Sequence, residues 1–369
     1  MNAVQRVVVR VDASVVMGMG HLMRCLSLAR ALADDGAEVL FVLRAQAAGV
    51  AGLIGSEGHA VRLLADPDRP ANPATNGTTH ASWLPTSWQE DAEQTLLAIG
   101  GIGAVDWLIV DHYALDGRWE RRLRQQVPRI LVIDDLADRD HDCDILLDQN
   151  LVQAMELRYR GRLPATCRPL LGPRYALLRP EFAEQRKSLI ARSGKVNRIL
   201  VCYGGSDPDN ETAKTLSAIR SLSLASTAVD VVIGMSNPYA DSISGLCREL
   251  PDAELHHGAG NMAELMQRAD LAIGAGGVMS WERCCLGLPT IAIGIADNQT
   301  GALTALAAAG AVAYLGPAAS VTANQIADAI RSMLDDPART RAMGKAAGTL
   351  VDGAGVDRVR EAMMAVGPA

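Results

Sequence analysis

Aromatic side chains are scarce in this chain: Phe, Trp and Tyr make up only 4% of it, and Phe occurs twice. A core with so few rings must be aliphatic, and the 49% hydrophobic content supplies the material. A basic excess is also missing. The formal net charge is −7, which argues against nucleic-acid binding through phosphate neutralisation, though not against a small anion held by local donors. No apolar run approaches the roughly 20 residues that span a bilayer. No signal-peptide pattern precedes the first strand, so no membrane partner is expected. The seven cysteines, at 25, 143, 167, 202, 247, 284 and 285, form no CxxC pair. Buried free thiols in a reducing compartment account for them, and the expected location is cytoplasmic. GxSxG elbows and Walker loops are absent as well.

What is present is length and rhythm. A chain of 369 residues exceeds one ordinary core and points to two domains. Apolar runs read as strands at Val7–Val11, Glu38–Leu43, Ala60–Leu64, Trp107–Val110, Arg129–Ile133 and Ile145–Asp148, with helical spacing between them. Residues 66–87, with four prolines, break the rhythm and read as a surface insertion whose end, Trp83-Leu84, docks. A second alternation begins at Arg198–Cys202 and continues through Val229–Ile233, 253–256, Leu271–Ile273 and Thr290–Ile293. The expected fold class is α/β, with two Rossmann-like domains around parallel sheets. The boundaries are 1–172 for the N-terminal domain, 173–197 for a linker, 198–350 for the C-terminal domain and 351–369 for a last helix. The stretch 302–313 is read as helix core.

Three glycine-rich turns carry the chemistry. Gly18-Met19-Gly20-His21-Leu22-Met23-Arg24 joins the first strand to a helix whose start suits an anion. His21 sits at that mouth with an imidazole that can take a proton in general-base chemistry; a solvated histidine beside a plain turn is the alternative. Gly274-Ala275-Gly276-Gly277 leads into a second helix start, able to hold a diphosphate without lysine. Glu282, further along that helix, is either an acceptor for ribose hydroxyls or a solvated charge. Gly204-Gly205-Ser206-Asp207 is another phosphate-loop candidate, with Asp207 and Asp209 as helix caps in the plainer reading. Asp297-Asn298-Gln299 offers amides to sugar hydroxyls or acetamido groups. Asp138 to Cys143 matches no zinc spacing and reads as exposed loop. Cys25 reads as packing. No metal or cofactor is expected, although Asp12, Asp111 and Asp207 are the carboxylates that could gather one.

Several blocks, taken in order, resemble the PseG family, the UDP-sugar hydrolases of pseudaminic acid biosynthesis. They are Arg10-Val11-Asp12-Ala13-Ser14, the Gly18–Cys25 motif, Asp111-His112-Tyr113, Ile133 to Arg139, Leu147-Asp148-Gln149-Asn150, Leu171-Gly172-Pro173-Arg174-Tyr175, Gly204–Asp207 and Asp297–Gln299. The resemblance covers nearly the whole chain. A wider one is to MurG, the N-acetylglucosaminyltransferase of peptidoglycan assembly, through the second-half glycine turn and glutamate. The resemblance implies a GT-B-type architecture with an interdomain cleft. It also implies hydrolysis of UDP-2,4-diacetamido-2,4,6-trideoxy-β-L-altropyranose to UDP and the free sugar. His21 takes the family's general-base position, Glu282 the nucleotide-binding glutamate, Asn298 the sugar-site asparagine and Asn210 another ligand position. Gly20, Arg24, Tyr113, Gly205, Ser206, Gly276, Gly277 and Gln299 complete the substrate-binding set. The 66–87 insertion makes this chain longer than compact family members.

Two other readings use the same parts. A MurG-like glycosyltransferase would replace water with an acceptor hydroxyl. A non-catalytic UDP-sugar sensor would keep the Gly274 turn and Glu282 and have no need of His21.

Overall fold

The computed structural model describes residues 5–13, 17–67, 78–205, 207–224, 226–235 and 237–367. Ser14, Ser206 and residues 68–77 of the insertion lie outside the described residues. The chain divides into two compact units. The first comprises Met1–Asn150, Ala154–Leu177 and Gly355–Ala369; the second comprises Leu151–Gln153 and Leu178–Ala354. The segment read as a linker, 173–197, therefore divides at Leu177, and the chain's last helix belongs to the first unit.

The first unit runs β1 (Arg6–Val11), α1 (Gly20–Asp34), β2 (Glu38–Arg44), α2 (Ala51–Ser56), β3 (Ala60–Leu64), α3 (Trp88–Ile99), β4 (Trp107–Asp111), α4 (Gly117–Leu123), β5 (Ile130–Ile133), β6 (Ile145–Asp148), α5 (Met155–Arg158) and β7 (Arg168–Leu171). Its strands form one parallel sheet in the order β3-β2-β1-β4-β5-β6-β7. Parallel strands covered on both faces read as unbroken apolar runs, and β1 shows why. Val7, Val9 and Val11 enter the core beneath α1, while Val8 enters the core on the α3 and α4 side. Strand β7 does not stand out in the sequence, because it is short and carries Pro169. A proline is tolerated there because β7 is an edge strand, where one side of the backbone lacks a ladder partner.

The second unit runs α6 (Pro180–Lys187), β8 (Arg198–Cys202), α7 (Glu211–Ser221), β9 (Ala228–Ile233), α8 (Ala240–Arg248), β10 (Ala253–His257), α9 (Met262–Arg268), β11 (Leu271–Ala275), α10 (Val278–Cys285), β12 (Thr290–Gly294), α11 (Thr300–Ala308), β13 (Ala313–Pro317), α12 (Ala323–Asp335) and α13 (Pro337–Leu350). Its parallel sheet has the order β10-β9-β8-β11-β12-β13. The stretch 302–313, expected as one helix, ends at Ala308, and β13 begins at Ala313. Gly310, at φ +69°, makes the turn between them, which an alanine count does not reveal. The chain then returns with α14 (Gly355–Ala365), whose Val359, Ala362 and Met363 complete the α1-side core of the first unit.

In both sheets the strand order reverses once, between β1 and β4 in the first unit and between β8 and β11 in the second. Register aligns the strand ends there: Val11 faces Asp111, and Cys202 faces Gly274. Ligands of open α/β sheets bind at such reversals, outside the carboxyl ends of the strands.

The loop Asp138–Cys143 is not the exposed segment its charges suggest. Arg139, His141 and Cys143 are buried. Arg139 pairs with Asp134 at 2.9 Å, and His141 Nδ1 lies 2.7 Å from Glu120. Alternate residues turn inward, and each inward charge finds an opposite partner, the condition for burying it.

Candidate active site

Gly18 has φ +75°, a conformation glycine adopts without the Cβ penalty, and it delivers the chain into α1. No side chain caps α1. His21 lies on its first turn and is buried, as is Arg24 one turn on. At the end of the adjacent β4, Asp111 accepts from His21 Nδ1 at 2.6 Å. Arg24 grips the same carboxylate from Nε and Nη2, both at 2.6 Å. Arg24 Nη1 also donates to Asp135 at 3.0 Å. A carboxylate 2.6 Å from Nδ1 fixes the proton there, so the imidazole lone pair is left on Nε2. Arg24 Nη2, 3.1 Å from Nδ1, comes close because both nitrogens share one Asp111 oxygen.

Burial alone would disfavour the Asp111 charge, but Arg24 and then His21 overcome it and hold the carboxyl well below the usual carboxylate range. Cys25 Sγ lies 3.5 Å from that carboxylate. Burial first, and Asp111 second, push its thiol well up, so it remains a thiol and packs rather than reacts.

Tyr113 follows β4 and is also buried; its hydroxyl donates to Asp135. The His21 ring meets Tyr113 edge to face at 4.7 Å between centroids and Trp83 likewise at 5.9 Å. Behind the dyad, Arg10, Asp12, Arg44, Asp91 and His112 form a buried charge cluster. Arg10 bridges Asp12 and Asp91 at 2.8 Å each, and His112 Nε2 lies 3.2 Å from Asp12. Burial opposes the Asp12 charge; Arg10 foremost and His112 next hold it well below the usual range. Asp12 and Asp111, two of the carboxylates weighed as metal ligands, are thus each neutralised by an arginine.

In the second unit, Gly277 has φ +85° and starts α10 with no side-chain cap. Gln299 Oε1 accepts from Gly276 N at 3.2 Å and from Ile295 N at 3.1 Å. It therefore pins the glycine turn, while Asn298 beside it is exposed. Glu282 is not a solvated charge. It is buried, and Arg179 Nη2 donates to its Oε1 at 3.3 Å. Burial raises its carboxyl, with Arg179 pulling the other way. Next to it, Arg283 is buried and makes no ion pair among the described residues. Its Nη2 donates to Ala275 O and Ser280 Oγ, tying the glycine turn to the first turn of α10.

Two expected ligand groups are engaged elsewhere. Asn210, at φ +56°, caps α7 by accepting from Ala213 N. Asp207 accepts from Glu211 N at 2.9 Å and Thr212 N at 3.0 Å, so it caps the same helix. Gly205 is exposed at the end of β8, and Ser206 is outside the described residues. The structure thus brings His21, Arg24 and Tyr113, with Gly20 opening the same helix, to one sheet edge. It joins Gly276 and Gln299 directly at the other. Roles the motifs did not give include Asp111 as the partner of His21, Asp135 as the partner of Arg24 and Tyr113, Trp83 beside His21, Arg179 and Arg283. Asp111 and Asp135 had a signal, since one ends β4 and the other follows β5 by two residues; the pairing of Arg179 with Glu282 across 103 positions had none.

Asp230, Glu254 and His256 present ligand atoms within 4.8 Å of one another. Arg198 and Arg268 already pair with Asp230, at 3.0 and 2.6 Å, so cationic partners fill that place.

Two Rossmann-like domains, each with a glycine turn at its strand-order reversal, define the GT-B class of fold. Among solved structures, MurG of Acinetobacter baumannii matches with a TM-score of 0.68 at 13% identity, covering 98% of this chain and 99% of that one. The spinosyn rhamnosyltransferase SpnG complexed with thymidine diphosphate matches with a TM-score of 0.61 at 19% identity, covering 97% and 100%. At these identities the likeness is one of fold.

No family model matches the chain. Among curated proteins it is 26% identical over 297 residues to an uncharacterized protein of Methanocaldococcus jannaschii, covering 78% of this chain and 55% of that one. It is 28% identical over 205 residues to the spore coat polysaccharide biosynthesis protein SpsG of Bacillus subtilis, covering 55% and 60%. It is also 28% identical over 204 residues to the UDP-2,4-diacetamido-2,4,6-trideoxy-β-L-altropyranose hydrolase of Campylobacter jejuni, covering 55% and 71%. The chain spans little more than half the length of the first two. Among the described residues no helix is long and apolar enough to cross a membrane.

Proposed function

We propose that this protein is an enzyme that processes a UDP-sugar, and that its reaction is hydrolysis of UDP-2,4-diacetamido-2,4,6-trideoxy-β-L-altropyranose. The observation that carries the reading is the Asp111–His21 pair at the strand-order reversal of the first unit. It is a base whose tautomer and orientation are set by a buried carboxylate, the arrangement general-base catalysis requires. The likeness to the Campylobacter jejuni hydrolase supports the choice of substrate.

His21 Nε2 takes a proton from water as the water oxygen bonds to the anomeric carbon. The C1–O bond to the β-phosphate breaks, and its electron pair leaves on UDP. Asp111 stays ionised and stabilises the imidazolium. Backbone N–H groups at Gly277 and the uncapped first turn of α10 take the diphosphate charge, and Glu282 takes the ribose hydroxyls. Attack opposite the leaving group inverts the configuration at C1.

The second reading, a glycosyltransferase, is favoured by the full-length fold likeness to MurG and SpnG. Both reactions release UDP, so the test is turnover in ¹⁸O-water with no other acceptor. Hydrolysis puts the label on the sugar C1 hydroxyl and none in UDP. Label in the UDP phosphate would mean attack at phosphorus. No turnover until an acceptor is added would make the protein a transferase.

A further inference from the structure

This aromatic-poor chain concentrates rings at one place. Trp83 and His80 come from the segment between β3 and α3 and meet Tyr113 above His21. Trp83 stacks on Tyr113 with centroids 5.1 Å apart and planes 28° from parallel. His80 lies 4.8 Å from Trp83 and 5.3 Å from Tyr113. Tyr113 and His21 are buried, whereas Trp83 and His80 are part-exposed, so the cluster has an open side. Trp83 packs in part against the α3- and α4-side core beside the buried Ala81 and Leu84, and the rest of its ring stays open.

The cluster is tied to the dyad by a continuous set of charged hydrogen bonds. Tyr113 donates to Asp135, Arg24 joins Asp135 to Asp111, and Asp111 holds His21. Arg139 adds its guanidinium over the Tyr113 ring at 5.8 Å. The rings therefore have a fixed position relative to the base. Burial lowers the basicity of His80 and so favours its neutral ring, although Asp138 pulls the other way.

We propose that Trp83, stacked on Tyr113 and flanked by His80, is the wall that receives the apolar substituents of the sugar and so sets the enzyme's sugar specificity. The inference rests on the UDP-sugar reading above and adds the residue that selects the sugar. An aromatic face packs on C–H groups and gains most from methyls, which present more apolar surface than hydroxyl-bearing carbons and have no water to lose. A ring bearing acetamido methyls and a deoxy C6 methyl therefore gains more from this wall than a fully hydroxylated hexose does. A few polar groups beside an aromatic wall is the usual construction of a small-ligand site.

The test compares wild type with Trp83→Ala and the conservative Trp83→Phe. Calorimetry gives affinities for UDP, UDP-glucose and the UDP-diacetamido-trideoxy sugar. Saturation-transfer NMR reads which sugar protons touch protein. In wild type, the acetamido and C6 methyl protons should saturate most strongly. In Trp83→Ala, the preference for the diacetamido sugar over UDP-glucose should fall about tenfold, with methyl saturation lost and UDP affinity unchanged within twofold. Trp83→Phe should keep most of the preference. An unaltered preference in Trp83→Ala, or equal losses for all three ligands, overturns the inference, and it does so even if wild type releases UDP as a hydrolase. Loss of the preference in a protein that never releases UDP would leave the wall standing and overturn the hydrolase instead. Failure of wild type to bind any UDP-sugar overturns both.

Discussion

Asp111 and His21 come from different elements and meet at 2.6 Å, so cutting either member should slow the same step. His21→Gln should lower kcat by about 10²–10⁴-fold, the range for a lost acid–base group. Asp111→Asn should act in the same direction, because an amide no longer selects the Nδ1–H tautomer. UDP affinity should hold in both, since the nucleotide is assigned to the second unit; near-normal turnover of His21→Gln would remove it as base. Glu282→Ala should behave oppositely. Arg179 engages only Oε1 of that carboxylate. If Glu282 also holds the ribose, substrate and UDP lose the same contact, and KM rises more than kcat falls. Calorimetry should show UDP binding weakened roughly 10- to 100-fold, the size of one hydrogen bond to a charged group. Unchanged UDP affinity would leave the carboxylate a partner for Arg179 alone.

At the scale of elements, two connections are open to direct measurement. His141 joins α4, through Glu120, to the end of β5, through Asp134. Burial alone would lower its basicity, but Glu120 above all reverses this, and its pKa is pushed up to about 9. The folded value lies above the unfolded one near 6.5. Its contribution to stability, on the order of 3 kcal/mol, is therefore fully present below pH 6.5 and lost as pH rises to 9. Wild type should lose denaturant resistance over that interval, and His141→Gln should be weaker at pH 6 and much flatter with pH. Equal pH slopes in the two proteins would refute the assignment. The second connection is α14. Met363 is buried in the α1-side core although it lies at the chain's far end. Met363→Ala should cost about 2–5 kcal/mol, read as an earlier urea transition of the first unit. A change under 0.5 kcal/mol would mean that α14 adds no core.

For the molecule as a whole, the distribution of carboxylates bears on metal dependence. Asp12 and Asp111 are held by Arg10 and Arg24, and Asp207 caps α7. None is left with both oxygens to offer a divalent cation beside a glycine turn, and backbone N–H groups can take the diphosphate charge instead. UDP release should therefore be unchanged by EDTA and by added Mg²⁺. A rate that falls with EDTA and returns with Mg²⁺ would overturn that expectation.

The sequence by itself determined the repeating strand–helix rhythm, the two parallel-sheet domains and the position of each glycine turn, because these depend on local periodicity and on turns that favour glycine. It also marked His21 and Glu282 as the side chains worth following. Only the tertiary structure decided what those side chains touch. The parallel pairing of β1 with β4 sets Asp111 beside α1, and α6 places Arg179 against Glu282. It also spent Asn210 and Asp207 on capping α7, buried a loop that looked charged and exposed, and brought Trp83 onto Tyr113. The physical reason is the same in each case. A charge or ring is assigned by its nearest partner in space, and strand order, which no local pattern encodes, sets that partner.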